Sequence, residues 1–244
     1  MLAWLIALIA VLATPVLAQE STHDPDLERA AMVRMIEIEA RMAAAETGVG
    51  TIAPEILEAM GQVPRHEFVP AELRDYAYLP MPLPVHPEQN IAAPYLVALM
   101  TQLAAVAPGS RVFETGTGEG YHAAVLSRLA GEVFSVEVVP ELAQAATERL
   151  HALGYDTVWV REGDGYYGWP EAAPFDAILV KEAVDHVPAP LLAQLRPGGR
   201  MVMPLGPLDG PQELTVVEKL PDGRHRQRPV LAVRFTPLQG GERI

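Results

Sequence analysis

The stretch Glu114-Thr115-Gly116-Thr117-Gly118-Glu119-Gly120-Tyr121 admits few folds, because an apolar strand leads into it and a helical stretch leads out. Val112-Phe113 reads as the strand and Tyr121 to Leu129 as the helix. Glycines at alternate positions let the backbone turn tightly and approach a ligand with no side chain in the way. The helix start is then expected to offer unpaired backbone amides to an anionic group. Downstream, short apolar runs keep alternating with helical ones. Val133 to Val138, Thr157 to Arg161 and Ala177 to Val180 read as strands, and Glu141 to Leu153 and Ala189 to Leu195 as helices. Pro197-Gly198-Gly199 turns the chain into Met201-Val202-Met203, and Leu214 to Glu218 with Val230 to Phe235 form a closing hairpin around Pro221-Asp222-Gly223. This alternation predicts an α/β fold, a mostly parallel sheet with helices on both faces.

Upstream of this core the pattern differs. Asp26 to Ala45 has helical spacing, with Met32, Met35 and Ile36, and Ile38 and Met42 beyond, as one apolar stripe. Gly48 and Gly50 break it, and Pro54 opens a second helix. From Pro64 to Pro94 prolines recur at 70, 80, 82, 84 and 87, which predicts an extended covering segment with few regular ladders. Helix resumes at Tyr95 and runs towards Leu103.

Residues 1–18 carry no charged side chain and end in Val16-Leu17-Ala18 before Gln19-Glu20, which reads as a signal peptide cleaved after Ala18. The expected organisation is that segment, then one domain over 19–244, with a covering segment at 26–94 and a Rossmann-like core at 95–238. The protein is expected to be exported, periplasmic or secreted, with no stable membrane insertion once the segment is removed; an uncleaved anchor is the alternative, and if the segment is no signal the protein would be cytoplasmic. With 18 Lys and Arg against 31 Asp and Glu, the net charge of −13 disfavours nucleic acid as a partner. The chain has no cysteine, which excludes disulfides, thiol catalysis and cysteine metal sites. Its seven histidines form no HExxH pair, so no metal is expected.

Two carboxylates extend the glycine loop into a candidate site. Glu137 ends the next strand, about twenty residues beyond Gly116, where an acid accepts hydrogen bonds from both ribose hydroxyls of a nucleoside. Asp164, in Gly163-Asp164-Gly165 after the third strand, is placed for an adenine amino group. His122 is the one histidine expected to touch a bound nucleoside. Dinucleotides and sulfonium cofactors both use this strand-end logic, so spacing leaves the choice open.

The order of further motifs narrows it. Pro64-Arg65-His66-Glu67-Phe68-Val69-Pro70, Pro94-Tyr95, the Glu114 to Tyr121 loop, Gly163-Asp164-Gly165, Pro174-Phe175-Asp176-Ala177, Pro197-Gly198-Gly199 and Val233-Arg234-Phe235-Thr236-Pro237-Leu238 follow one another. In that order, over roughly residues 30 to 238, the chain resembles the protein-L-isoaspartate O-methyltransferase family. The resemblance implies a seven-stranded methyltransferase sheet, S-adenosyl-L-methionine as cofactor, and methyl transfer to the free carboxylate of L-isoaspartyl or D-aspartyl residues in damaged proteins, a protein-repair reaction. It also implies site residues. Glu114, Gly116, Thr117, Gly118, Gly120, Tyr121, Glu137, Asp164 and Gly165 would hold the cofactor. Asn90, Ile91, Lys181, Val233, Arg234 and Phe235 would face the substrate.

The chain departs from the family pattern near the expected site. Ala92, in Asn90-Ile91-Ala92-Ala93-Pro94, stands where the family has a serine that helps bind the accepting carboxylate. A hydrogen bond to a charged group typically contributes about 1.5–3 kcal/mol. Thr115 replaces an aliphatic residue, Glu119 a serine, and Lys181-Glu182 small neutral residues. Lys181 could supply a cation for a carboxylate substrate or pair with Glu182 or another acid. Two other readings stand beside the leading one: a noncatalytic nucleoside-binding protein on the same fold, and a methyltransferase for another acceptor.

Overall fold

The computed structural model describes residues 24–86 and 89–240; the segment read as a signal peptide lies outside them. Helix α1, Pro25–Met42, starts where the Asp24 carboxylate accepts from the amides of Asp26 and Leu27, with proline in the first turn. It buries Met32, Ile36 and Ala40, one line at four-residue spacing. Met35, Ile38 and Met42, expected on the same stripe, face outward because that line turns them away. The short α2, Ala44–Thr47, ends at Gly48 with φ 71°, and α3, Pro54–Gln62, buries Ile56, Ala59 and Met60.

The proline-rich stretch is less extended than its composition suggests. Arg65–Phe68 and Ala71–Tyr76 form 3-10 turns, and β1, Leu83–His86, pairs antiparallel with β2, Gln89–Ile91. Proline's fixed φ suits the first residue of a tight turn and is tolerated in an edge ribbon such as β1, where Pro84 lies. Helix α4 is Pro94–Ala104.

The core then runs β3 (Arg111–Thr115), α5 (Tyr121–Ser127), β4 (Glu132–Glu137), α6 (Pro140–Ala152), β5 (Val158–Glu162), β6 (Phe175–Leu179), α7 (Ala189–Gln194), β7 (Leu195–Leu205), β8 (Gln212–Lys219) and β9 (His225–Val233). The sheet has seven strands in the order β5-β4-β3-β6-β7-β8-β9. Neighbours from β5 to β7 are parallel, and β7, β8 and β9 pair antiparallel in succession. The closing hairpin is longer than expected. The turn expected at Pro197 to Gly199 is an irregularity within β7, where the register with β6 shifts and Gly198 takes φ 79°.

Strand residues alternate between two cores. Val112, Val133, Ala177, Leu179 and Val202 join the helices α1, α3, α4 and α5 on one face. Phe113, Phe134, Ile178, Val180, Met201 and Met203 pack on the other, with Leu191 of α7. Burial on both faces explains why these strands read as short continuous apolar runs. The chain leaves β3 for β4 on one side and later places β6 on the other, so a crevice opens at the carboxyl ends of β4, β3 and β6, the usual ligand position in such sheets.

One cation fixes the covering segment to this crevice. Arg65 is completely buried; it donates from Nε to the Ala77 carbonyl at 2.7 Å and from Nη2 to the Ala92 carbonyl at 2.9 Å. Its guanidinium lies over the Tyr121 ring, 4.7 Å from the centroid. Replacement by Met keeps the apolar stem but strips two buried carbonyls of their donor. Arg65→Met is expected to lower unfolding free energy by about 2–4 kcal/mol, measured by urea denaturation with an unchanged m-value.

Candidate functional site

The glycine loop rests on a buried polar stack. Ser135, on β4, donates to Glu114 Oε1 at 2.8 Å, so its oxygen accepts from the Thr117 hydroxyl at 2.6 Å. The other oxygen of Glu114 lies 2.9 Å from Lys181 Nζ, an ion pair poorly angled for a hydrogen bond. Burial raises the pKa of Glu114, and Lys181 opposes that shift. Glu114, expected to hold the cofactor, is therefore placed behind the cavity wall. Its carboxylate is already taken up by Ser135 and Lys181.

Gly116, Gly118 and Gly120 all take positive φ (62°, 53° and 89°), which side chains disfavour. Their amides are already used. Gly116 N donates to the Val136 carbonyl, Gly118 N to Glu137 Oε2 at 2.9 Å and Gly120 N to the Thr117 carbonyl. The amides of these three glycines are thus spent within the protein; the unpaired amides expected at the start of α5 are a different set. Gly120 packs against Leu150 behind the loop. Glu137 also accepts from Val139 N at 3.1 Å, so its carboxylate is fixed in position at the end of β4.

The cavity over this loop has a volume of about 340 Å³. Its wall gathers expected residues from distant parts of the chain: Asn90, Ile91 and Ala92 from the covering segment, Gly116, Thr117 and Gly118 from the loop, Tyr121, Glu137, Gly165, Lys181, Arg234 and Phe235. Tyr121 reaches it with little surface, being mostly core. Besides Glu114 and Gly120, two expected residues stand off the wall. Val233 ends β9, paired with Gln212. Asp164 accepts from Tyr166 N at 2.9 Å through Oδ1, and Gly240 lies over Oδ2. That Oδ2 is buried and has no hydrogen-bond partner among the described residues, so it lacks a donor such as an amino group.

Three further side chains, noted in the sequence but not among the expected contacts of cofactor or substrate apart from His122, also meet the site. Glu119 meets His86 Nε2 and Arg149 Nη1, each at 2.6 Å, and so joins β1 and α6 to the loop. His122 lines the cavity, and its Nε2 lies 3.0 Å from the Thr101 hydroxyl. Thr101 gives its proton to the Val97 carbonyl, so Nε2 donates and Nδ1 is left as an acceptor. Burial, aided by Lys181, keeps His122 neutral. Glu182 is the third: Thr115 donates to its Oε2, its Oε1 lies against Gly116, and it forms part of the wall. Burial pushes its pKa up to about 7. The signal for this last contact was present, since Thr115 and Glu182 are polar residues at the ends of adjacent parallel strands.

These features favour a nucleoside that carries positive charge. A pyrophosphate laid over the glycines would find their amides taken and would meet the carboxylates of Glu137 and Glu182. The residues therefore fit a sulfonium nucleoside better than a dinucleotide. Comparison with known proteins agrees. The Protein-L-isoaspartate(D-aspartate) O-methyltransferase (PCMT) family model matches residues 38–243. The chain belongs to this family. Protein-L-isoaspartate O-methyltransferase 2 of Syntrophobacter fumaroxidans is 52% identical over 87% of this chain and 86% of its own length. Protein-L-isoaspartate O-methyltransferase 1 of Cupriavidus necator is 51% identical over 87% of this chain and 82% of its own. A solved protein-L-isoaspartate O-methyltransferase superposes with TM-score 0.73 at 30% identity, over 87% of this chain and 66% of that one. A Plasmodium falciparum protein described under the same activity, crystallised with S-adenosyl-L-homocysteine, gives TM-score 0.72 at 20% identity over 90% of this chain and 100% of its own, a likeness of fold.

Within this methyltransferase family member, removing the amine of Lys181 leaves Glu114 buried without its cation. Lys181→Met is expected to cost about 3–5 kcal/mol of stability, with much of it restored in the Glu114→Gln, Lys181→Met double variant; equilibrium unfolding of all three reads the coupling. Glu182 gives a pH dependence. Between its ordinary pKa of 4.5 and about 7, the unfolded chain loses this proton while the folded chain keeps it, so stability falls as pH rises through that window. Glu182→Gln should remove that fall, gaining about 1–3 kcal/mol over wild type at pH 8 relative to pH 4.5 in thermal unfolding.

Proposed function

We infer that this chain transfers the methyl group of S-adenosyl-L-methionine to the free carboxylate of L-isoaspartyl residues in damaged proteins, and that D-aspartyl residues fall within the same acceptor class. Family membership supports the reaction. The observation within the structure that carries it is the cavity itself, where occupied glycine amides and the carboxylates of Glu137 and Glu182, neither of them ion-paired among the described residues, suit a sulfonium nucleoside. Glu137 is fixed for ribose hydroxyls, and Gly165 on the wall marks where the base would lie; Asp164, behind it under Gly240, would need Gly240 to move to meet an adenine amino group.

The accepting carboxylate is ionised at neutral pH, so no strong general base is required. S-adenosyl-L-methionine supplies an electrophilic methyl group on a sulfonium sulfur. The residues here bind, align and exclude water. Ile91, Leu96, Val97 and Met100 make one wall apolar, while Glu137 and Gly118 fix the nucleoside side. Lys181 is engaged by Glu114, so Arg234, exposed at the cavity rim, is the cation positioned for an incoming carboxylate.

Ala92 supports a second reading, a methyltransferase whose acceptor differs from the family's. It lines the cavity at the position of the family's serine and has no hydroxyl to donate. We also propose that the mature protein begins at Gln19 and works outside the cytoplasm, in the periplasm or medium, with protein rather than nucleic acid as its partner. Among the described residues no helix is long and apolar enough to cross a membrane. Periplasmic fractionation with amino-terminal sequencing tests export; an intact Met1 in the cytoplasm would refute it.

Labelled methyl should pass to an isoaspartyl peptide and not to its aspartyl counterpart. Ala92→Ser is expected to raise kcat/KM for that peptide about tenfold or more, as a hydrogen bond to a charged group contributes. Arg234→Ala should raise KM about threefold with little change in kcat, the modest effect of an exposed charge. Transfer only to some other carboxylate or small acceptor would favour the second reading.

A further inference from the structure

We propose that Glu182 is a cofactor-binding residue, whose carboxylate receives the positively charged amino group on the amino-acid end of the sulfonium nucleoside. The inference rests on the function proposed above and adds to it the residue that reads this end of the ligand.

The sheet order places Glu182. Strand β3 lies between β4 and β6, so Glu137 and Glu182 flank the glycine loop from opposite sides. A ligand with its ribose at Glu137 and its base near Gly165 occupies the β4 and β5 side of the crevice. Its remaining arm then crosses Gly116 towards β6. Glu182 stands there, packed so closely on Gly116 that any β-carbon at that position would overlap Oε1.

The side chain is held for this role. Thr115 donates to Oε2 and, through the same hydroxyl oxygen, accepts from Lys181 N at 3.0 Å, so the carboxylate cannot swing away without disturbing the end of β6. Among the described residues no hydrogen bond reaches Oε1. The nearest lysine in sequence, Lys181, gives its charge to Glu114. A carboxylate on the wall of a cavity, with one oxygen anchored and the other without a cation, is arranged to accept an ammonium group.

The surrounding charges set the sign of its pH response. Glu114 on β3 and Glu137 on β4 add negative potential, Lys181 adds positive, and His122 of α5 is neutral. Arg234 lines the same cavity at its rim. Burial and the two acids hold the Glu182 proton on to about pH 7. An ammonium group arriving beside it favours the ionised form, so the proton leaves to solvent as the ligand binds.

Calorimetric titration with S-adenosyl-L-methionine, S-adenosyl-L-homocysteine and adenosine tests this. Adenosine has the nucleoside but no amino-acid arm. Wild type should bind all three; failure to bind any would remove the proposed function itself, and this inference with it. Glu182→Gln should weaken both amino-acid-bearing ligands by about tenfold or more and leave adenosine unchanged. Unchanged binding of all three would overturn the assignment. Weakening of S-adenosyl-L-methionine alone would also overturn it, because the sulfonium would then be the group recognised. A second measurement needs no variant. In two buffers of different ionisation enthalpy at pH 6.5, S-adenosyl-L-homocysteine should release a proton on binding to wild type and adenosine should not. Equal proton release from the two ligands would refute the proposal even if Glu182→Gln failed to fold.

Discussion

Strand β3 is hydrogen-bonded along both edges, to β4 and to β6, and at its carboxyl end the chain must turn sharply over two neighbouring strand ends. Polar groups there are screened from water and must find partners among themselves. Thr117, Ser135, Glu114 and Lys181 form one chain of contacts beneath the loop, and Thr115 joins Glu182 to it from β6. The loop with its positive-φ glycines rests on this stack, and through the Gly118 amide it holds Glu137 at the end of β4. A buried ion pair is a poor source of net stability, since desolvation offsets its attraction. Its effect is to hold the turn in one conformation.

The alternation of apolar runs and helical stretches was enough to read the parallel sheet, because burial on both faces leaves strands with unbroken runs of Val, Ile, Leu and Phe. The glycine loop and Glu137 were legible for a similar reason: the backbone conformation and the strand-end position each admit few residue types. The proline-rich stretch was harder. Proline density excludes long ladders but does not distinguish an extended chain from 3-10 turns, and both occur between Pro64 and Ile91. On α1 the composition showed two apolar lines, and only packing against α3 and α4 selects the one through Met32 and Ile36.

The site was legible as a set of positions and less so as a set of contacts. Glu114 and Lys181 were both expected to face ligand or substrate, yet each is the other's partner. Residues 67 apart in the chain come together only once β3 and β6 are adjacent, a pairing no local pattern records. Thr115 and Glu182, separate departures when read along the chain, are one hydrogen-bonded unit in space. Glu119 likewise acquires meaning only with His86 and Arg149 beside it.

Arg65 grips Ala92 through the backbone carbonyl and ignores its side chain. The segment that lines the cavity beside β2 is thereby held in place by an atom common to every amino acid, whatever side chain this position carries. Exchanging this side chain for another small one therefore alters the cavity lining and leaves Arg65's hold on the backbone untouched.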